Sequence, residues 1–233
     1  MEHHINYNFS TVAVGERHVN YLLSFILDPR LTHHNINVLT DKPEKFSGLK
    51  NITTLKYSKN KFSFNDKKTI IKNSLQFYPS TVFIDSDQEL NKDVTQIPFE
   101  LKLQPGIHTT VTWKHPAHCS LENLLEGNIN RVKYGKIFKE IVNTLNINLN
   151  KHFHIQESFF VISKHDNLPK FFKMWDMLQS ITDFLDQANN QHILGYGEGY
   201  SIGISSAYAE IPFHEHTPQV QEISSLFQHK AWL

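Results

Sequence analysis

Four short strand candidates within the first 84 residues, two of them separated from the next by a helical segment, constrain this chain more than any other feature. Residues 11–14 read as a buried strand, and Gly15 makes the turn after it. A helix follows with Val19, Leu22, Leu23 and Ile26 at helical spacing, and Pro29 fits its termination. Residues 35–41 and 52–57 are two more strand candidates. Residues 66–78 form a helix with Ile70, Ile71, Ser74, Leu75 and Tyr78 on one face, interrupted at Pro79 and Ser80. Residues 81–84 are a fully apolar strand. This alternation of strand and helix predicts a mostly parallel sheet covered on both sides, an α/β fold. Ligands of such sheets bind beyond the carboxyl ends of the strands, which points to Gly15, Asp41 and the segment Asp85-Ser86-Asp87.

The remainder of the chain fits the same single domain. Residues 106–113 alternate like a strand, and 131–148 carry Tyr134, Ile137, Phe138, Ile141, Val142 and Leu145 at helical spacing. A strand over 154–163 and a long helix from about Pro169 to Asn189 follow. The glycine-punctuated segment 195–199 precedes a further helix. No composition break suggests a linker, so one domain is expected, with residues 10–112 as a nucleotide-binding half and 113–233 as an acceptor-side half.

Composition removes several alternatives. Of 233 residues, 23 are Lys or Arg and 23 are Asp or Glu, so the chain lacks the basic excess of a general nucleic-acid binder. The 39% hydrophobic content and 17 Phe exclude a disordered chain. The single cysteine, Cys119, cannot close an internal disulfide. No apolar run approaches a membrane span, and the amino terminus has no signal core, so the expectation is a soluble, cytoplasmic protein. The 15 His would turn the balanced chain cationic if many were protonated near pH 6.

The sharpest chemical feature is the run from the apolar strand 81–84 into Asp85-Ser86-Asp87. Alternate carboxylates in an extended or turning segment can point to one side. Two hard oxygen donors suit magnesium or manganese, which keep other positions for water and phosphate. The plain alternative is a strand-ending turn, where Asp and Ser are common.

With TVAVG, a helix, NVLTD, a lysine-bearing helix and VFIDSD in this order, residues 10–90 resemble the nucleotide-binding half of GT-A-fold glycosyltransferases, whose metal motif is Asp-X-Asp. The resemblance implies a GT-A-like, Rossmann-related fold, a nucleotide-sugar donor, usually a uridine diphosphate sugar, and Mn2+ or Mg2+. It implies Asp87 as the main metal ligand, and Asp85 on the ribose or the metal with Ser86 at the donor. Val14 and Gly15 would border the nucleoside. In retaining members a basic residue at the spacing of Lys68 approaches the donor phosphates; the alternative is a solvated helical lysine, as Lys67 beside it illustrates. The tail FQHKAWL is similar to the His-X-X-X-Lys-Pro-Trp tail of some retaining members, with compressed spacing and no Pro, which implies His229 as a further metal ligand. His214 and His216 compete for that role.

Glu198 is the candidate general base, since inverting members place a carboxylate beyond the long helix to deprotonate the acceptor hydroxyl; an ordinary carboxylate at a helix start is the alternative. Gln156 and Glu157 are candidates for donor-sugar or acceptor hydroxyls, and Glu157 equally for a bond to a neighbouring loop. His115, His118 and Cys119 are zinc-binding types without a second matched pair, and Trp113 suits either a sugar face or the core. The partners expected are a nucleotide-sugar donor and a glycan or other hydroxyl acceptor. Two other functions compete. A sugar-phosphate nucleotidyltransferase normally opens with a denser glycine-rich loop than TVAVGERHVN. A non-catalytic sugar- or nucleotide-binding protein needs only the pocket.

Overall fold

A computed structural model of the chain describes residues 5–59, 63, 66–91, 93, 96–110, 135–149, 155, 157–188 and 198–229. The expected alternation is present. Strand β1 (Tyr7–Ala13) leads into helix α1 (Glu16–Ile26), followed by β2 (Ile36–Thr40) and β3 (Ile52–Lys56). Helix α2 (Lys67–Phe77) then returns the chain to β4 (Ser80–Ile84). α1 presents Val19, Leu22, Phe25 and Ile26 to the sheet. Pro29 does more than end it: Asp28 accepts the Arg30 N–H at 2.9 Å and starts a short 3-10 turn, Pro29–Leu31.

Strand β5 (Gln88–Leu90) and strand β6 (Gly106–Thr109) come next, then α3 (Gly135–Thr144), β7 (Phe159–Ser163) and the long α4 (Leu168–Ala188). The chain continues through α5 (Glu198–Ala209), β8 (Phe213–Glu215), α6 (Pro218–Ser225) and β9 (Phe227–His229). Seven strands form one sheet in the order β3-β2-β1-β4-β7-β6-β8. Strands β3, β2, β1 and β4 are parallel, as are β6 and β8; β7 runs antiparallel between β4 and β6. The sheet passes through both expected halves, so the fold is a single α/β domain with a mostly parallel sheet flanked by helices.

Three apolar clusters hold the layers together. One face buries α1, α6 and Phe46 against Phe9, Val82 and Val161. The other buries Ile70, Ile71, Phe171 and Trp175 against Phe83, Phe160 and Ile162. A third joins Phe138 and Val142 of α3 to Met174, Leu178 and Ile204. Each fully buried large side chain contributes about 1.5–3 kcal/mol, so these layers supply most of the driving force.

β1 begins four residues before the expected strand, because its first half alternates the core residues Tyr7 and Phe9 with polar Asn8 and Ser10. Asn8 and Ser10 are nevertheless fully buried. Their groups meet Ser74 of α2: Asn8 Nδ2 donates to Ser74 Oγ at 3.1 Å, Asn37 Nδ2 donates at 2.8 Å, and the Ser10 hydroxyl lies at 2.7 Å. Ser10 also bonds the Thr81 hydroxyl at 2.6 Å. This network fixes how α2 seats on β1, β2 and β4. Across the sheet, Gly106 has φ +145°, and a Cβ there would come within 2.6 Å of the Pro212 carbonyl oxygen. Only glycine lets β8 approach β6 this closely.

Candidate functional site

The strand order reverses at β1: β2 and β3 lie on one side of it, and β4 on the other. A crevice opens at such a switch point, beyond the carboxyl ends of β1 and β4. Gly15 follows β1 with φ +85° and ψ 153°, backbone that favours glycine, and starts α1. Its N–H donates to Asp41 Oδ1 at 3.0 Å, tying the end of β2 to the turn. Across the crevice, Asp85, Ser86 and Asp87 follow β4. His18, in the first turn of α1, joins the two sides: its Nδ1 is 3.1 Å from Ser86 Oγ. Ser86 is buried, while Asp85 and Asp87 are half-buried at the rim.

The antiparallel direction of β7 brings a third wall. Ile84 at the end of β4 pairs with Phe159 at the start of β7. The Asp85 N–H donates to the Ser158 carbonyl at 3.0 Å, so the turn at Glu157 and Ser158 lies against the Asp-Ser-Asp segment. Glu157 Oε1 accepts the Gly199 N–H at 2.8 Å and fixes the first turn of α5 beside it. Glu198 opens that helix. Its side chain, like all of Gln156, lies outside the described residues.

The lysine that reaches this site is Lys67, not Lys68. Lys67 is 3% exposed, and its Nζ lies 2.9 Å from Asp85 Oδ1 and 3.1 Å from the Glu157 carbonyl oxygen. It also sits 5.0 Å over the Phe83 ring. Lys68 points the other way and pairs with Asp176 on α4. One residue on a helix turns the side chain by about 100°, and the packing of Ile70, Ile71 and Leu75 selects which lysine faces the strand end.

Burial pushes the Asp85 carboxyl above its usual range, and the neighbouring Asp87 and Glu157 push the same way. The Lys67 ammonium opposes them through its charge and hydrogen bond. The charge of Asp87 thus acts on Asp85 across Ser86. Among the described residues no three or more His, Cys, Asp or Glu side chains form a complete metal cage. The two carboxylates flanking Ser86 at the carboxyl end of β4 are oxygen donors of the type that suits Mg2+ or Mn2+, which fill their other positions with water and phosphate oxygens.

The carboxyl-terminal segment returns to the site. β9 pairs antiparallel with β5, placing the backbone of His229 opposite Gln88, the residue after Asp87. Phe227 anchors this strand, with ring centroids 5.7 Å from Phe9, 5.9 Å from Phe25 and 6.1 Å from Phe159. The other two histidine candidates are elsewhere. His214 stacks on His108 at 4.5 Å, and its Nε2 lies 3.1 Å from the Pro105 carbonyl, which precedes β6. It therefore lies toward the opposite end of the sheet, where it lines a cavity of about 430 Å³ with His165 and Lys164. His216 follows β8, three strands from β4 and so roughly 14 Å away at normal strand spacing. Its exposed ring meets Gln221.

Val14 packs against the core beside the Gly15 turn. Trp113, His115, His118 and Cys119 lie outside the described residues. His18 and Lys67 are the site residues that sequence reasoning passes over. For His18 a signal existed: a histidine one helical turn beyond a glycine at a strand end faces back over that end. No known family model matches the chain, and no curated protein matches its sequence.

Proposed function

We propose that this protein is a metal-dependent glycosyltransferase of the GT-A type, moving a sugar from a nucleoside diphosphate donor, best read as a uridine diphosphate sugar, to an acceptor hydroxyl. One observation carries the reading. The Asp85-Ser86-Asp87 turn sits at the switch point of a mostly parallel sheet, facing the Gly15 turn, with Lys67, Glu157 and the backbone of His229 gathered around it. The parallel order β3-β2-β1-β4 supports the resemblance over residues 10–90.

In this reading Val14, Gly15 and Asp41 border the nucleoside, and Ser86 is held for the donor by His18. Asp85 and Asp87 would hold Mn2+ or Mg2+, with His229 the histidine best placed by the backbone to join them. The ion would neutralise the diphosphate as it leaves. Glu157 braces the start of α5, the helix that Glu198 opens, and this reading assigns Glu198 to the acceptor. For an inverting transfer Glu198 takes the acceptor proton, from the face opposite the leaving group. No described helix is long and apolar enough to cross a membrane.

The test is a thermal-shift panel of nucleoside diphosphates with and without Mn2+. Uridine diphosphate with Mn2+ should raise the melting temperature more than either alone, and Asp87→Ala should abolish that joint effect. If no nucleotide shifts the wild-type protein in the presence of Mn2+, the reading is wrong.

A further inference from the structure

We propose that Lys67 is a resident competitor for the metal site, one that makes capture of the divalent ion depend on the nucleoside diphosphate. This inference rests on the functional reading above and concerns the regulation of that same site.

Lys67 is held where it is. Asp66, the residue before it, is 1% exposed and accepts the Tyr57 hydroxyl at 2.9 Å, Gln179 Nε2 at 3.0 Å and the Ser63 N–H at 3.1 Å. Lys59 also pairs with Asp66. These bonds clamp the start of α2 to the segment after β3 and to α4. The Lys67 ammonium is then confined between Asp85 Oδ1, the Glu157 carbonyl and the face of Phe83. Its side chain is only 4% exposed.

The charge balance follows. Asp85, Asp87 and Glu157 bring three negative charges to the site, and Lys67 brings one positive charge. An entering divalent cation must share Asp85 with the ammonium, which already engages Oδ1, and it meets the ammonium's repulsion at short range. In a partly desolvated crevice such like-charge repulsion is far stronger than in water. A diphosphate brings its own negative charge into the same crevice and offsets that repulsion. The metal therefore binds weakly alone and tightly with the nucleotide, and by linkage the nucleotide gains as much from the metal.

A residue that merely positioned Asp85 would give the opposite sign on removal, which makes the test decisive. Mn2+ is titrated into the folded protein and free Mn2+ is read by electron paramagnetic resonance, with and without uridine diphosphate. Wild type should bind Mn2+ at least tenfold more tightly with the nucleotide. Lys67→Met should tighten Mn2+ binding without nucleotide at least fivefold and shrink the nucleotide's effect, whereas Lys67→Arg, which keeps the charge, should retain the wild-type pattern. Lys67→Gln, which keeps a donor for the Glu157 carbonyl, carries the same expectation as the Met variant and replaces it if circular dichroism shows that variant unfolded. Weaker or unchanged Mn2+ binding in the charge-removed variant overturns this inference while leaving the functional reading intact. Wild type that takes up no Mn2+ even with nucleotide overturns both.

Discussion

Ser74→Ala looks harmless and should not be. In an exposed helix the change would stabilise by about 0.5 kcal/mol, because Ala is the better helix former. Ser74 is fully buried, however, and its hydroxyl is the hub of the polar network beneath α2. It accepts from Asn8 at 3.1 Å and from Asn37 at 2.8 Å, and its own proton goes to Ser10 at 2.7 Å. Ser10 passes its proton to Thr81 at 2.6 Å, so every bond in this chain has a consistent direction. Removing the hydroxyl strips Asn37 of its acceptor; Asn8 retains the Phe9 carbonyl at 2.9 Å, and Ser10 retains Thr81. Leaving a buried donor unmade costs about 1–3 kcal/mol, and weakening Asn8 adds to that. Set against the helix gain, the net loss should be about 2 kcal/mol. For a chain of this length that lowers the melting temperature by about 4–8 °C. Urea denaturation followed by circular dichroism measures it, with Lys72→Ala on the exposed face of the same helix as a control expected within about 0.5 kcal/mol of wild type. A Ser74→Ala protein as stable as wild type, or more so, would show that the network does not seat the helix.

Stability should also fall on mild acidification. Burial holds His34 and His108 down to about 4, whereas an unfolded imidazole titrates near 6.5. The unfolded chain therefore takes up protons first: this stability is intact above about pH 6.5 and is lost as the pH drops toward 4, by up to about 3 kcal/mol for each histidine. Urea midpoints at pH 7.5 and 4.5 should separate less in His34→Phe than in wild type, and an equal separation would remove His34 from the account. Phe227→Ala should free β9 from β5 at a stability loss of about 2–3 kcal/mol, since the ring is half-buried among three others. Amide exchange at the residues paired across β5 and β9 should then accelerate ahead of the main sheet. Exchange that stays as slow as in wild type would mean that the tail is held by something other than this ring.

How much was legible depended on whether a signal was local. β2, β3 and β4 were readable because each is a short segment rich in Ile, Val, Leu and Thr between turn residues, and the Asp pair stood out because it follows the most apolar of them. β5 and β9 were not readable. Each has three residues, neither alternates clearly, and they become strands only by pairing across 139 residues, as Glu89 and Gln228 do. The choice between Lys67 and Lys68 was equally closed, because adjacent residues on a helix carry identical local signals and differ only in what the helix packs against. The histidines show the same limit. His34 and His108, which the sequence does not distinguish from surface residues, are core groups 1% exposed.

The sequence by itself determined the α/β alternation, the balanced charge and the placing of two carboxylates at a strand end, since hydrophobic period and residue type are properties of neighbours along the chain. Tertiary structure alone decided which groups meet those carboxylates. Direction of pairing is a long-range choice: β7 had to run antiparallel to β4 before Glu157 could lie beside Asp85, and β9 had to find β5 before His229 could approach the motif. The site joins segments far apart in the chain, His18 to Ser86 across 68 residues and Lys67 to Glu157 across 90. Only the packing energy of the whole sheet, which no short window of sequence contains, fixes their arrangement.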